Sequence, residues 1–161
     1  MAIQSDIDLC NRALLAIGAK PIQTFDDGTL ESQCCKLLYP AERDAQLVAH
    51  PWWFAEKEAD LSRLSTTRSY EYEYSYLLPA DLLHVRYVVR DTSTGARCDA
   101  YKLMGDALCT DITSVRLVYT CRAAEQVFPP LFQTALVDWL SVRLVIPITE
   151  DLNRASVLGQ L

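Results

Sequence analysis

Apolar positions near the N-terminus recur at helical spacing. Ile7, Cys10, Leu14 and Ile17, with Ala13 between them, stand three and four apart, the pattern of a helix that buries one face. Ser5 stands three residues before Asp8 as a capping box, and Gly18 supplies a stop, so a helix is predicted over about 5–18. Asp26-Asp27-Gly28-Thr29 reads as a turn that caps a second helix over about 29–49. Leu30, Cys34, Leu37, Leu38, Ala41, Ala45 and Val48 form its apolar stripe up to His50-Pro51. Pro40 falls inside that run and predicts a kink rather than two separate helices.

The period changes after residue 50. Pro51-Trp52-Trp53-Phe54 opens an extended or irregular stretch. Tyr70, Tyr72, Tyr74 and Tyr76 then alternate with Glu71, Glu73 and Ser75, which predicts a strand with four tyrosines on one face. Leu78-Pro79-Ala80-Asp81 is a turn, residues 82–90 a strand, and Thr92-Ser93-Thr94-Gly95 a hairpin loop. Gly105-Asp106 joins two short strands, and 115–121 makes another. Pro129-Pro130 opens a third helix, over about 129–147. Phe132, Ala135, Leu136, Trp139 and Leu140 run down one face of it, and Pro147 ends it. The expected fold is α+β in a single domain over 1–161. An antiparallel helical bundle from both chain ends carries an inserted small antiparallel β-sheet at about 52–122, followed by a C-terminal arm at about 148–161.

Composition narrows the function. Half of the 161 residues are hydrophobic and 22 % are charged, an ordinary globular balance. The formal charge of −6 argues against tight non-specific nucleic-acid binding, which needs clustered cations. The longest apolar run near the C-terminus is cut by Asp138 and Arg143, and no basic segment followed by an apolar block opens the chain, so a soluble, cytoplasm-like setting is expected. The cysteines at 10, 34, 35, 98, 109 and 121 include no C-x-x-C pair and read as reduced core residues.

Neither His50 nor His84 has a nucleophile elbow nearby, and no phosphate-cradling glycine loop occurs. Asp26, Asp27 and Glu31 are the densest carboxylate cluster, explained by a turn and a helix N-terminus. No catalytic, cofactor-binding or metal-binding residue is therefore assigned, and no cofactor is expected. The tyrosine alternation could stack on sugars or bases, but its interleaved acids favour packing on a helix or on a neighbouring subunit.

Four segments in order carry a resemblance: Asn11-Arg12-Ala13-Leu14-Leu15-Ala16-Ile17-Gly18, Tyr39-Pro40-Ala41-Glu42-Arg43-Asp44, His50-Pro51-Trp52-Trp53-Phe54-Ala55 and Tyr76-Leu77-Leu78-Pro79-Ala80-Asp81. Over roughly residues 5 to 150 the chain resembles the head-to-tail adaptors of tailed bacteriophages, the group of podovirus tail tubular protein A and related tail accessory, head completion factors. It departs from them after the third helix, where family members continue into a further long helix and this sequence stops at Leu161.

The resemblance implies a structural, non-enzymatic component of the virion. Such a protein forms a ring, generally of twelve copies, under the portal, extends the DNA channel and offers a docking platform for a tail nozzle or tail-tube component. Genomic DNA would pass without specific binding, and no membrane is involved. The expected location is the head-tail junction, after assembly in the host cytoplasm. Leu152, Val157, Leu158 and Leu161 are the expected portal-facing residues, because an apolar chain end seeks cover. Trp52, Trp53, Tyr70, Tyr72, Tyr74 and Tyr76 are the expected subunit-subunit contacts, where aromatics are enriched. Another virion ring, such as a stopper or tail-completion protein, is the nearest alternative. A virion-associated peptidoglycan hydrolase using Asp27 and Glu31 is a more distant one.

Overall fold

A computed structural model describes residues 5–91 and 94–149 of the chain. The chain divides into two units, one built from the segments up to Ala49 and from Ala123 onward, the other from His50–Arg122. The protein is thus mixed α+β, with three helices in the first unit and two antiparallel sheets in the second.

In the helical unit, α1 spans Asp6–Ala16. The Ser5 hydroxyl accepts from the Asp8 amide at 3.1 Å, and the Asp8 carboxylate accepts from the Ser5 amide at 3.0 Å, so the capping box forms in full. At the other end Gly18 takes a left-handed φ of 76°. Its amide donates to the Leu15 carbonyl at 3.1 Å and that of Ala19 to Leu14 at 2.9 Å, the paired bonds of a Schellman stop.

Helix α2 is continuous over Leu30–Ala49 and carries Pro40 within it. Pro40 is exposed, where a missing backbone hydrogen bond costs least. The buried face differs from the expected one. Ser32, Cys35, Tyr39 and Leu47 are buried, while Leu30, Leu37, Ala41, Ala45 and Val48 are exposed and Cys34 and Leu38 half-buried. At about 100° per residue the two sets lie on nearly opposite sides of the helix. Periodicity selected the richer aliphatic stripe. The helix instead buries the one holding a tyrosine and two small polar or sulfur side chains, with the Ser32 hydroxyl satisfied by the Thr29 carbonyl at 2.9 Å.

Helix α3 spans Pro130–Thr149 and runs through Pro147, two residues beyond its expected end. A proline in the last turn disturbs little of the helix that precedes it. Phe132, Leu136, Leu140 and Leu144 are buried, and Phe128 meets Phe132 edge-on with centroids 4.7 Å apart. Trp139, expected on this face, is instead 51 % exposed. Helix α3 packs against both α1 and α2, which touch each other little. By length and composition alone α3 would suit a membrane span; its buried side chains are covered by the other helices of the unit.

In the second unit a short 3-10 turn at Trp53–Ala55 leads into β1 (Glu56–Asp60). The remaining strands are β2 (Tyr74–Leu77), β3 (Leu82–Asp91), β4 (Ala96–Cys98), β5 (Lys102–Met104), β6 (Ala107–Thr110) and β7 (Arg116–Cys121). Two sheets stand where one was expected, ordered β1-β7-β3-β4 and β2-β6-β5. Strand β1, unforeseen because its Glu-Lys-Glu-Ala-Asp sequence lacks β-branched residues, pairs with β7 in register Glu56↔Thr120 to Asp60↔Arg116. The β5–β6 turn holds Gly105 at φ 62°, as the Gly105-Asp106 reading requires. Of the β3–β4 loop, Thr92 and Ser93 lie outside the described residues.

The tyrosine ladder does not form as expected, because strand β2 begins only at Tyr74. Upstream, side chains hold the backbone instead. Thr67 Oγ1 donates to the Glu73 carbonyl at 2.9 Å, the Ser75 hydroxyl accepts from the Arg68 amide at 2.9 Å, and Asp111 accepts from the Glu73 amide at 2.9 Å. Such side-chain bonds to the backbone offer the chain an alternative to a sheet ladder.

Candidate functional site

Each of the four motif segments builds a distinct local device. In the first, Asn11 clasps the chain that follows α1. Its side-chain amide donates to the Ile22 carbonyl at 2.9 Å, and its side-chain oxygen accepts from the Ile22 amide at 2.8 Å. Ala13, Leu14 and Ile17 go to the core of the helical unit and Gly18 closes the helix.

The second segment places Tyr39 and Arg43 one turn apart, both aimed at Glu125. The phenol donates to the Glu125 carboxylate at 3.1 Å, as does the Arg43 guanidinium at 3.1 Å, and Arg43 also pairs with Asp44 at 2.9 Å. Burial, with Glu125 adding to it, pushes the Tyr39 hydroxyl well above its ordinary pKa, so it stays a proton donor.

The third segment is an aromatic step. His50 meets Trp52 edge-on with centroids 4.9 Å apart, Trp52 lies 5.8 Å from Phe54, and Ala55 is fully buried. Arg86 ties the step to the sheet by donating to the Trp52 carbonyl at 3.3 Å and to Thr120 Oγ1 at 3.1 Å.

In the fourth segment Asp81 gathers three partners. Its carboxylate accepts from Lys57 at 2.7 Å and from the Tyr119 hydroxyl at 3.0 Å, and its carbonyl accepts from the Arg122 amide at 2.8 Å. The Lys57 bond is the main reason its carboxyl titrates below the usual range, and burial together with Asp81 lifts Tyr119 to about 12.

The carboxylates considered for hydrolysis are engaged in a turn. Asp27 accepts from the Thr24 hydroxyl and from the amides of Gln23 and Thr24, which lower its pKa, while Asp26 pairs with Lys36 at 2.6 Å. Thr29, rather than either aspartate, caps α2, its hydroxyl accepting from the Ser32 amide at 3.2 Å. Among the described residues, no three His, Cys, Asp or Glu side chains converge as metal ligands would. The six cysteines are free thiols, buried except for half-buried Cys34.

The expected contact residues separate. Trp53 is 79 % exposed and touches Phe54 edge-on at 6.0 Å, while Trp52 is half-buried in the step. Tyr70 is fully exposed and Tyr72 half-buried. Tyr74 lies under the Arg63 guanidinium, 3.9 Å from ring to charge, and Tyr76 is 1 % exposed with its hydroxyl on the Ile112 carbonyl. Tyr76 therefore belongs to the core of the β unit, whereas Tyr70, Tyr72 and Tyr74 keep exposed surface. Leu152, Val157, Leu158 and Leu161 lie outside the described residues.

Sequence reasoning missed the apolar surface of the helical unit. Besides the outward stripe of α2, α3 shows Leu131, Trp139 and Ile146 exposed along one side, with Ala135 and Val142 half-buried between them. The signal was present in α3, whose apolar residues are spread around the helix rather than confined to one face. In comparisons with known proteins, no family model and no curated protein matches this chain.

Proposed function

We propose that this chain is a structural head-to-tail adaptor of a tailed bacteriophage. It would assemble as a ring of about twelve copies under the portal, extend the DNA channel and receive the tail nozzle or tail tube. In this reading the helical unit is an antiparallel bundle drawn from both chain ends, and the segment His50–Arg122 is an insertion in it. The protein acts by binding and by shape, with no bond made or broken, at the head-tail junction of the virion. The four ordered motifs suggest the family.

The observation that carries the reading is the surface of the helical unit. Two 20-residue helices each bury one face and turn a second apolar face to solvent. Exposed apolar stripes on two helices suit a subunit that gains cover on assembly. Charge sets a counterweight. Most of the net −6 falls on the segments of the helical unit, and a ring multiplies it by the number of copies. The free protein is accordingly expected to stay largely monomeric until a portal ring templates it, and the same acidity keeps a channel wall from adhering to DNA.

Light scattering behind size exclusion, on the chain alone and mixed with portal rings, tests this. A monomer that becomes a portal-bound ring is the expected result; a chain that ignores the portal overturns the reading.

A further inference from the structure

We propose that Cys10 of α1 and Cys35 of α2 are a latent disulfide, an oxidation site at which hydrogen peroxide joins the two buried thiols and staples the helices together. The inference concerns the helical unit by itself and is independent of the adaptor reading.

Placement supports it first. Both residues are fully buried, and their thiols hydrogen-bond to each other between α1 and α2. Cys10 also lies beside Tyr39, one turn on from Cys35, so it faces two successive turns of α2. Other bonds hold each helix in place. Asn11, next to Cys10, clasps Ile22, and the Ser141 hydroxyl of α3 lies 3.4 Å from the Ala13 carbonyl. On α2, Tyr39 and Arg43 are tied to Glu125. The two sulfurs are thus presented to one another by restraints that do not depend on them.

The other thiols are placed differently. Cys98 donates to the Ala100 carbonyl at 3.6 Å, Cys109 lies 3.3 Å from the Ser75 hydroxyl, and Cys121 sits near Lys57 and Asp81. Cys34 is half-buried and turned about 100° around α2 from Cys35.

Reactivity agrees. The hydrogen bond with Cys10 lowers the pKa of the Cys35 thiol in spite of its burial, whereas burial pushes Cys34 and Cys121 up and Cys10, the donor, is raised as well. The thiolate is the nucleophile, so Cys35 attacks first. Its sulfur bonds to one peroxide oxygen as the O–O bond breaks; the hydroxide released takes the Cys35 proton and leaves as water. The Cys10 sulfur then attacks the resulting sulfenic acid, the S–O bond breaks, and the hydroxide leaves with the Cys10 proton as a second water. Two thiols lose two electrons in all, and one hydrogen peroxide is reduced to two waters. Peroxide is small enough to enter when the helices open locally.

The bond supplies a link that the packing lacks. Helices α1 and α2 touch each other little and share α3 as their main neighbour. A disulfide would draw the sulfurs to about 2.05 Å and close a loop of about 25 residues, enough to raise the melting midpoint by roughly 5–10 °C.

The test treats the folded full chain with a few equivalents of hydrogen peroxide, quenches with catalase, and counts thiols after unfolding. The wild type should lose two of its six thiols. Trypsin cuts after Arg12 and Lys36, so mass spectrometry should find the Cys10 peptide joined to the peptide ending at Lys36, a link that persists in Cys34→Ser and disappears on reduction. The melting midpoint, followed by the helical circular-dichroism signal, should rise and return with dithiothreitol. Cys35→Ser, treated alike, should show no link and no rise, which controls for oxidation of Met1 and Met104. Cys10→Ser should stop at a Cys35 sulfenic acid that dimedone labels on unfolding.

A folded chain that keeps all six thiols overturns the proposal, as does a link that is lost in Cys34→Ser or one that joins two chains. A linked chain that melts no higher than the reduced one removes the staple. If Cys35→Ser fails to fold, the peptide link and the reversible rise in the wild type and in Cys34→Ser still decide the matter.

Discussion

Replacing Glu125 by Ala should cost the helical unit about 2–3 kcal/mol. The carboxylate accepts from Tyr39, which is 2 % exposed, and from Arg43, whose side chain is 16 % exposed. Truncation removes a hydrogen bond to a charged acceptor and leaves a buried phenol hydroxyl without one, each worth about 1–3 kcal/mol and not fully additive. Arg43 keeps Asp44 at 2.9 Å, so the ~3–5 kcal/mol of a wholly orphaned buried charge is not reached. Tyr39→Phe, which leaves Glu125 paired with Arg43, should cost only about 1 kcal/mol. The double variant should show roughly 1 kcal/mol of coupling, because the two residues share one bond. Urea unfolding followed by the helical circular-dichroism signal reports on the unit that holds the network. With a urea slope of about 2 kcal/mol/M, Glu125→Ala should lower the midpoint by roughly 1 M. A shift within about 0.5 kcal/mol of wild type, or strict additivity of the two substitutions, would refute the assignment of this network as a structural tie.

Three further outcomes follow from the same geometry. Trp53→Ala should change stability by less than about 0.5 kcal/mol, since the side chain is mostly solvated, and a large loss of stability in a thermal melt would refute that exposure. Tyr76→Ala should cost about 3–5 kcal/mol by emptying a buried aromatic site, while Tyr70→Ala should cost almost nothing; equal effects in urea titrations would restore the tyrosine ladder. Asp81 has a folded-state pKa held below its unfolded value by Lys57, so its contribution is present above about pH 4 and lost as pH falls through the folded value. Asp81→Asn should therefore lower stability at neutral pH and flatten the acid limb of stability against pH; an unchanged acid limb counts against the Asp81–Lys57 tie.

Much of the local structure was legible in the chain. Ser5 with Asp8, Gly18, Gly105 and the Pro129-Pro130 pair each act within a few residues, and a short-range rule suffices to read them. The inward face of α2 was not legible. Its two sides are both apolar enough to bury, and the partners of the buried one lie far along the chain, Glu125, 86 residues from Tyr39, accepting from Tyr39 and Arg43. The tyrosine alternation failed for a related reason: period two is compatible with a strand, but the hydrogen bonds of Thr67, Ser75 and Asp111 captured the backbone before β2 could extend. Of the residues expected at subunit contacts, Tyr76 goes instead to the core of the β unit. The exposed apolar stripes of α2 and α3 were visible as apolar residues, while their exposure depended on how the three helices pack.

The order of the two units along the chain has a consequence for synthesis. Helices α1 and α2 leave the ribosome first, and the 73 residues of His50–Arg122 follow before any of α3 exists. At about 5–20 residues per second that interval is roughly 4–15 s, during which the β unit can close upon itself but the helical unit lacks its principal packing partner. Helix α2 then presents both its sides to solvent, Tyr39 and Cys35 as well as Leu37 and Ala41. A nascent chain in that state is a natural client for a chaperone that shields apolar helices, and arrival of α3 is the event that releases it. Yield in cells should accordingly depend more on substitutions in the first turns of α3 than on equally buried ones in the β unit.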